Sequence, residues 1–301
     1  MVLKTLHLFI LVSILFAFTQ CRQAQSKKEG DENKDKKTEN TSAYTSPPGY
    51  NLNKPAKLHL RTELDEISGL AYYPKDTSVF AITDEHSWLY KIHLTGNFPI
   101  EKWKFSKGQD FEDLVMHDST FYVLESNGNI TTFKFLPSQS LVTDMYSFNS
   151  GGKNEFEILY YDNASGKFVL ICKDCKNDNK KTVSAYSFDQ VNRTFSNTAF
   201  YTIDATEIAQ KLGENKIKFK PSAASINPLT NELFIISSVN KALVIADTNG
   251  NVKSVYALDP KIYKQPEGLT FTPSGDLIIS NEAAGVGAAE VLIYKYKSTD
   301  K

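Results

Sequence analysis

Apolar and polar residues alternate along most of this chain in short runs closed by turn-forming residues. Thr131-Thr132-Phe133-Lys134-Phe135 is one such run, and Lys57-Leu58-His59-Leu60-Arg61-Thr62 is another. A period of two marks half-buried strands rather than helices. The runs are also grouped. Glu66-Ile67-Ser68-Gly69-Leu70, Asp110-Phe111-Glu112-Asp113-Leu114, Glu155-Phe156-Glu157-Ile158-Leu159, Lys220-Pro221-Ser222-Ala223-Ala224 and Gln265-Pro266-Glu267-Gly268-Leu269 each open a set of strands. The third residues of these sets are spaced by 44, 45, 65 and 45 positions. A period of that size in a strand-rich chain predicts propeller blades.

The expected fold is therefore an all-β propeller of five blades, with six if the segment 197–218 hides further strands. Within that segment Ile208 and Leu212 sit four apart and Gly213 follows, which predicts a short helical insertion near 204–213 and explains the long spacing. The last blade, ending in Glu290–Lys297, lacks its outer strand. The orphan strand Lys57–Thr62 is the obvious candidate to pair beside it and close the ring, protecting an edge that would otherwise invite aggregation.

Upstream, Lys4 precedes a largely apolar run, Leu6–Phe18, too short to span a bilayer and suited to a secretory signal. The following Phe18-Thr19-Gln20-Cys21 resembles the lipobox of bacterial lipoproteins, with Gln20 departing from its usual small residue. Residues 1–21 thus read as a lipoprotein signal, with Cys21 lipidated. Residues 22–50 are polar and charged, with almost nothing to bury, and read as a disordered tether. As a flexible coil it would average about 30 Å end to end. The propeller domain is expected over 51–301. Arg22 after the cysteine favours, by resemblance to the usual sorting rule, the outer membrane of a Gram-negative cell envelope.

Net charge is −1 over 301 residues, and no basic cluster lies among the strands, so nucleic acid is not an expected partner. The expected partners are the membrane, through the lipid, and an unidentified protein or small-molecule ligand. The propeller itself is expected to be a monomer. The 15 tyrosines and 19 phenylalanines fit a strand-rich core.

Candidate chemistry gathers at one end of the predicted channel. In antiparallel blades the start of strand one lies beside the end of strand two. Glu66, Asp110, Glu112, Glu155, Glu157 and Glu267 start first strands, and Asp84, Glu85, Glu125, Asp174 and Glu282 end second strands. Glu112, Glu157 and Glu267, with Ser68 and Ser222, should ring the axis. Glu66, Asp84, Asp110, Glu125 and Glu282 should complete the channel mouth. Carboxylates about 6 Å apart repel by roughly 3 kcal/mol per pair at an effective dielectric near 20. Three remedies are open: a hard cation such as Ca²⁺, an internal base such as Lys220 or Arg61, or protonation of one glutamate. The remaining reading is that the carboxylates are solvated or bonded to backbone N–H groups at blade junctions.

Cys172-Lys173-Asp174-Cys175 is a lone C-x-x-C. An exported chain favours a local disulfide, with free thiols the alternative, over zinc, which would need two further ligands. His86, beside Asp84 and Glu85, is the only histidine expected on the acidic face, and so the only candidate general base of that type.

Taken together, Glu-Ile-Ser-Gly-Leu-Ala, Asp-Phe-Glu-Asp-Leu and Gln-Pro-Glu-Gly-Leu with its following Asn-Glu resemble the SdiA-regulated family of exported bacterial proteins. The resemblance covers about residues 57–297. It implies a five-bladed propeller distantly similar to NHL-repeat proteins, with calcium bound in the domain and no established activity. By position, Glu112, Glu157 and Glu267 would be its central acidic residues. Asp113, Ile158 and Ser222-Ala223 depart from the Glu-Gly pattern. Two functions are open: a membrane-tethered binding module, or a calcium-dependent hydrolase of the lactonase, esterase or phytase kind acting at the channel.

Overall fold

The structure, a computed structural model, describes residues 44–298 apart from 97, 109, 137–140, 150 and 286. The expected signal, Cys21 and the tether as far as residue 43 lie outside the described residues.

β1 (Ala56–His59) and a 3-10 turn at Thr62–Leu64 precede the first blade. Blade one holds β2 (Ile67–Tyr73), β3 (Ser78–Thr83), β4 (Trp88–His93) and β5 (Glu101–Lys104). Blade two holds β6 (Phe111–His117), β7 (Thr120–Glu125), β8 (Ile130–Phe135) and β9 (Leu141–Tyr146). Blade three holds β10 (Asn154–Asp162), β11 (Lys167–Cys175), β12 (Thr182–Asp189), β13 (Thr194–Phe195) and β14 (Tyr201–Asp204). Blade four holds β15 (Ala223–Ile226), β16 (Leu233–Ser237), β17 (Ala242–Ala246) and β18 (Val252–Ala257). Blade five holds β19 (Pro266–Phe271), β20 (Leu277–Asn281) and β21 (Glu290–Tyr294). Every pairing is antiparallel within its blade, and β2, β6, β10, β15 and β19 adjoin one another in a closed cycle. The architecture is a five-bladed propeller.

Burial follows sequence strand by strand. Middle strands such as Leu233–Ser237, apolar up to its final serine, and the wholly apolar Ala242–Ala246 are buried at every position, because blades pack on both of their faces. The outer strand β9, which carries Thr143 and Asp144, is largely exposed. Aromatic side chains fill the wedge between blades one and two: Phe105 stacks on Phe133 at 4.7 Å, and Phe121 on Phe133 at 5.0 Å. Burying each large side chain contributes about 1.5–3 kcal/mol.

The fourth strand of blade three is split, since β13 and β14 both pair with β12. The chain then enters α1 (Ala205–Leu212). Asp204 caps it by accepting from the Thr206 N–H at 2.7 Å, and Gly213 ends it in the left-handed region at φ 75°. The long repeat spacing is thus a split strand plus a helix, and no sixth blade.

β1 pairs antiparallel with β21, with Leu58 opposite Val291, and forms the outer strand of the fifth sheet. It is shorter than the predicted Lys57–Thr62, because the chain turns into the 3-10 segment at Thr62. The folded chain also starts earlier than residue 51. Tyr50 donates to the Gly275 carbonyl at 2.6 Å and accepts from Asn227 at 3.0 Å, while Leu52 is fully buried. Residues 44–50 therefore belong to the domain and not to the expected tether.

The inner ring is sewn by polar seams. Ser222 Oγ donates to the Pro266 carbonyl at 2.7 Å, joining blades four and five. Ser280 Oγ donates to the Ser68 carbonyl at 3.1 Å, joining blades five and one. The Asp113 carboxylate accepts from the Leu114 N–H at 2.7 Å and the Leu159 N–H at 2.8 Å, joining blades two and three. Two glycines let neighbouring inner strands approach. A Cβ on Gly69 would lie 2.3 Å from Leu114 N, and one on Gly268 would lie 2.4 Å from the Ser68 carbonyl oxygen.

Candidate functional site: an acidic channel mouth

The repeated third residues occupy one structural feature. Between β6 and β7 the register jumps from Phe111↔Glu125 to Asp113↔Leu124, leaving Glu112 as the extra residue. Glu157 is the extra residue between Phe156↔Cys172 and Ile158↔Ile171, and Glu267 is the extra residue between Pro266↔Asn281 and Gly268↔Ser280. Ser68 lies in the matching irregularity of blade one, between Ile67↔Thr83 and Leu70↔Ala81. A β-bulge releases one residue from the ladder and re-aims its side chain. Here it does so at the same end of successive inner strands.

The carboxylates so aimed perturb one another. Burial, then the charges of Glu157 and Asp110, push the Glu112 carboxyl up to about 9 against the pull of Lys173. Burial and Glu157 push Glu267 up to about 7. Burial, then Glu267, Glu66 and Asp84, push Glu282 up to about 8. Asp84 is raised by burial and by Glu85 and Asp110, and its buried Oδ1 has no hydrogen-bond partner among the described residues. Glu66, more exposed, is raised by burial and by Asp84. Asp113, fully enclosed behind this cluster, is held well above the usual carboxylate range by burial, despite its two N–H partners.

Two bases bear on these acids: Lys241, whose Nζ donates to the Lys264 carbonyl and whose charge reaches Glu267, and Lys173, which is ion-paired within the cluster. The Lys173 Nζ donates to Glu157 Oε1 at 2.5 Å and lies 3.6 Å from Glu155. Burial pulls its ammonium down, but Glu157, Glu155 and Glu267 outweigh that and hold it above its ordinary value. Lys220 and Arg61, the bases expected there from sequence, do not serve: Lys220 faces Asp174 at 3.6 Å, and Arg61 is exposed. Lys173 gives no sign of this role in the sequence, where only its acidic neighbour Asp174 marks the end of the strand. β11 in fact continues to Cys175, and Cys172 and Cys175 are joined in a disulfide.

Other expected mouth residues have different partners. Glu125 turns back into its own hairpin, accepting from Asn129 at 3.2 Å and Thr131 at 3.2 Å. Ser222 is spent on the seam to Pro266, and Ser68 is buried. Asp110 is exposed, accepts from the Ser126 hydroxyl, and adds its charge to Glu112. His86 is exposed on the turn after β3 and has no side-chain hydrogen bond or ion pair among the described residues.

The mouth is rich in carboxylate oxygens, the donor chemistry that a hard divalent cation takes. Glu112, Glu267 and Glu282 offer carboxylate oxygens in excess of the local positive charge, but among the described residues no three acidic residues of the mouth bring ligand oxygens within 4.8 Å of one another, so they would have to draw together around an ion. Glu157 is committed to Lys173. At the opposite end the inner strands open into a cavity of about 420 Å³, whose wall includes Tyr72, Met116, Tyr161, Ile226 and Phe271.

A family model for SdiA-regulated proteins matches residues 43–285. The chain belongs to that family. This chain has Glu-Gly in blade five and Glu-Asp in blade two, where Asp113 bridges to blade three. No curated protein matches the sequence significantly. Among solved structures, the glutaminyl cyclase of Myxococcus xanthus is similar at a TM-score of 0.52 and 13% identity, over 81% of this chain and 100% of that one. The PQQ-bound aldose sugar dehydrogenase of Streptomyces coelicolor reaches a TM-score of 0.49 at 9% identity, over 84% of this chain and 100% of that one. A luciferin-regenerating enzyme reaches 0.46 at 12% identity, over 80% and 95%. At 13% identity the likeness to the glutaminyl cyclase is one of fold alone.

Proposed function

We propose that this SdiA-regulated protein is a calcium-binding propeller held at the cell envelope by a lipid on Cys21, and that it works as a binding module. Glu112, Glu267 and Glu282 would hold the ion, which supplies the positive charge that these buried carboxylates lack. The observation that carries the reading is the set of β-bulges that turns Glu112, Glu157 and Glu267 toward one mouth, where repulsion and burial raise Glu112 and Glu267 together. The ion would hold the inner ring of strands together, leaving the propeller faces and the far cavity to meet a protein or small-molecule ligand.

The second reading, a calcium-dependent hydrolase, would need a base beside the ion. Lys173 is bound as an ammonium to Glu157, Lys241 donates to the Lys264 carbonyl, and His86 points to solvent, so the geometry favours binding over turnover. Melting the purified protein with calcium and with chelator, then assaying lactone, aryl ester and phosphate ester substrates, separates the two. A calcium-dependent rise in Tm without turnover is expected. Turnover abolished by Glu112→Gln would establish the hydrolase instead, and a Tm indifferent to both calcium and chelator would remove the ion from either reading.

A further inference from the structure

Blade three carries an irregularity that no other blade has. Between β10 and β11 the register passes from Glu155↔Asp174 to Phe156↔Cys172, so Lys173 is the extra residue on the second strand. Immediately beside it, Glu157 is the extra residue on the first. In blades one, two and five the first two strands show one irregularity each, at the acidic residue or its serine counterpart. The doubled bulge of blade three makes Glu157 and Lys173 diagonal neighbours, and their side chains meet at 2.5 Å. The disulfide lies across this same bulge, with Cys172 paired to Phe156 on one side of Lys173 and Cys175 paired to Asn154 on the other. Both sulfurs are buried.

A bulge is a weak point in a ladder, since its extra residue makes no cross-strand backbone pair. A covalent link between residues three apart removes the alternatives open to the segment between them. We propose that the Cys172–Cys175 disulfide is a positioning element that holds Lys173 inside the acidic mouth as a resident counter-charge, so that the thiol state of this pair sets how strongly the mouth takes a divalent cation. This rests on the cation reading above and goes beyond it by naming what tunes the site. With the disulfide formed, the ammonium on Glu157 competes with the ion. A dithiol reductant breaks the S–S bond by delivering two electrons and two protons; two thiols form, and the reductant becomes a disulfide. Lys173 is then free to swing to solvent, and Glu157 joins the carboxylates available to the ion. Removing one positive charge from beside a doubly charged ion in a partly buried site raises affinity by at least about tenfold.

The test uses the purified protein and its Cys172→Ala/Cys175→Ala variant, with the wild type reduced by a phosphine as a second route to the open pair if the variant folds poorly. Lys173 accessibility is read by the rate of amine acetylation, followed by peptide mass spectrometry without any calcium. Calcium affinity is read by calorimetry. The expected results are acetylation of Lys173 at least about fivefold faster without the disulfide, and calcium bound at least about tenfold more tightly. Unchanged acetylation in both the variant and the reduced wild type overturns the positioning role, whatever calcium does. Faster acetylation with calcium affinity unchanged overturns the tuning. Faster acetylation in a protein that never binds calcium overturns the cation reading and leaves the positioning role standing.

Discussion

Replacing Asp113 with alanine perturbs the inner ring at one point, and its size can be worked from two hydrogen bonds. The carboxylate accepts from the Leu114 N–H at 2.7 Å and from the Leu159 N–H of the next blade at 2.8 Å, and the residue is 4% exposed. Alanine leaves both N–H groups without that partner, at about 1–3 kcal/mol each. Part of this is offset, because a carboxyl held well above its usual range by burial is no longer enclosed. A net loss of about 2–3 kcal/mol is expected. For a domain of this size that lowers Tm by about 4–12 °C. Asparagine keeps one acceptor and should cost about half as much. The pH dependence has a fixed sign. A carboxyl whose folded value is raised contributes stability that is fully present below its unfolded value and lost as pH rises toward the folded one. The wild type should therefore lose its advantage over Asp113→Asn as pH increases above the ordinary carboxylate range. Scanning calorimetry across pH gives both quantities. An alanine variant melting within about 1 °C of wild type would show that this carboxylate does not join blades two and three.

Other outcomes follow from the same geometry. Glu157→Gln leaves the half-buried Lys173 without its closest partner and should lower stability by about 3 kcal/mol in calcium-free buffer, with most of the loss recovered in Glu157→Gln/Lys173→Met; a double-mutant cycle with no coupling contradicts the pair. Because Glu267, Glu282 and Glu112 are raised to about 7, about 8 and about 9, calcium-free protein should lose stability as pH climbs from the ordinary carboxylate range through these values, and a stability that rises over that window is the wrong sign. Removing residues 44–60 takes away Leu52 and β1 and exposes the edge of β21, so light scattering should report self-association; a monomer with an unchanged Tm would make that segment dispensable. Gly268→Ala drives a Cβ to within 2.4 Å of the Ser68 carbonyl oxygen and should cost at least about 3 kcal/mol by chemical denaturation, whereas a loss below about 1 kcal/mol would mean the seam between blades five and one yields easily.

Much of the fold could be read from the chain because its local signals agree. Continuous apolar runs such as Ala242–Ala246 became strands packed on both faces, and Ile208, Leu212 and Gly213 marked the helix and its end. The site was legible only in outline. Alternation places residues on a strand but gives no sign of a bulge, and bulges are what re-aim Glu112, Glu157 and Glu267. The same holds for Lys173, which a second bulge, on β11, turns toward Glu157. Glu125 carried the right position but found hydrogen bonds in its own hairpin, with Asn129 and Thr131, that no spacing rule reveals. Ser222 likewise found a carbonyl across the seam before it could face the axis.

Calorimetric titration of calcium into the purified protein, alongside Glu112→Gln/Glu267→Gln, bears most directly on the acidic mouth. One site per chain in the wild type, weakened by at least about 30-fold in the double variant, is expected if these bulged carboxylates hold the ion. Equal binding by the two proteins, or no binding heat from either while both remain folded, contradicts it.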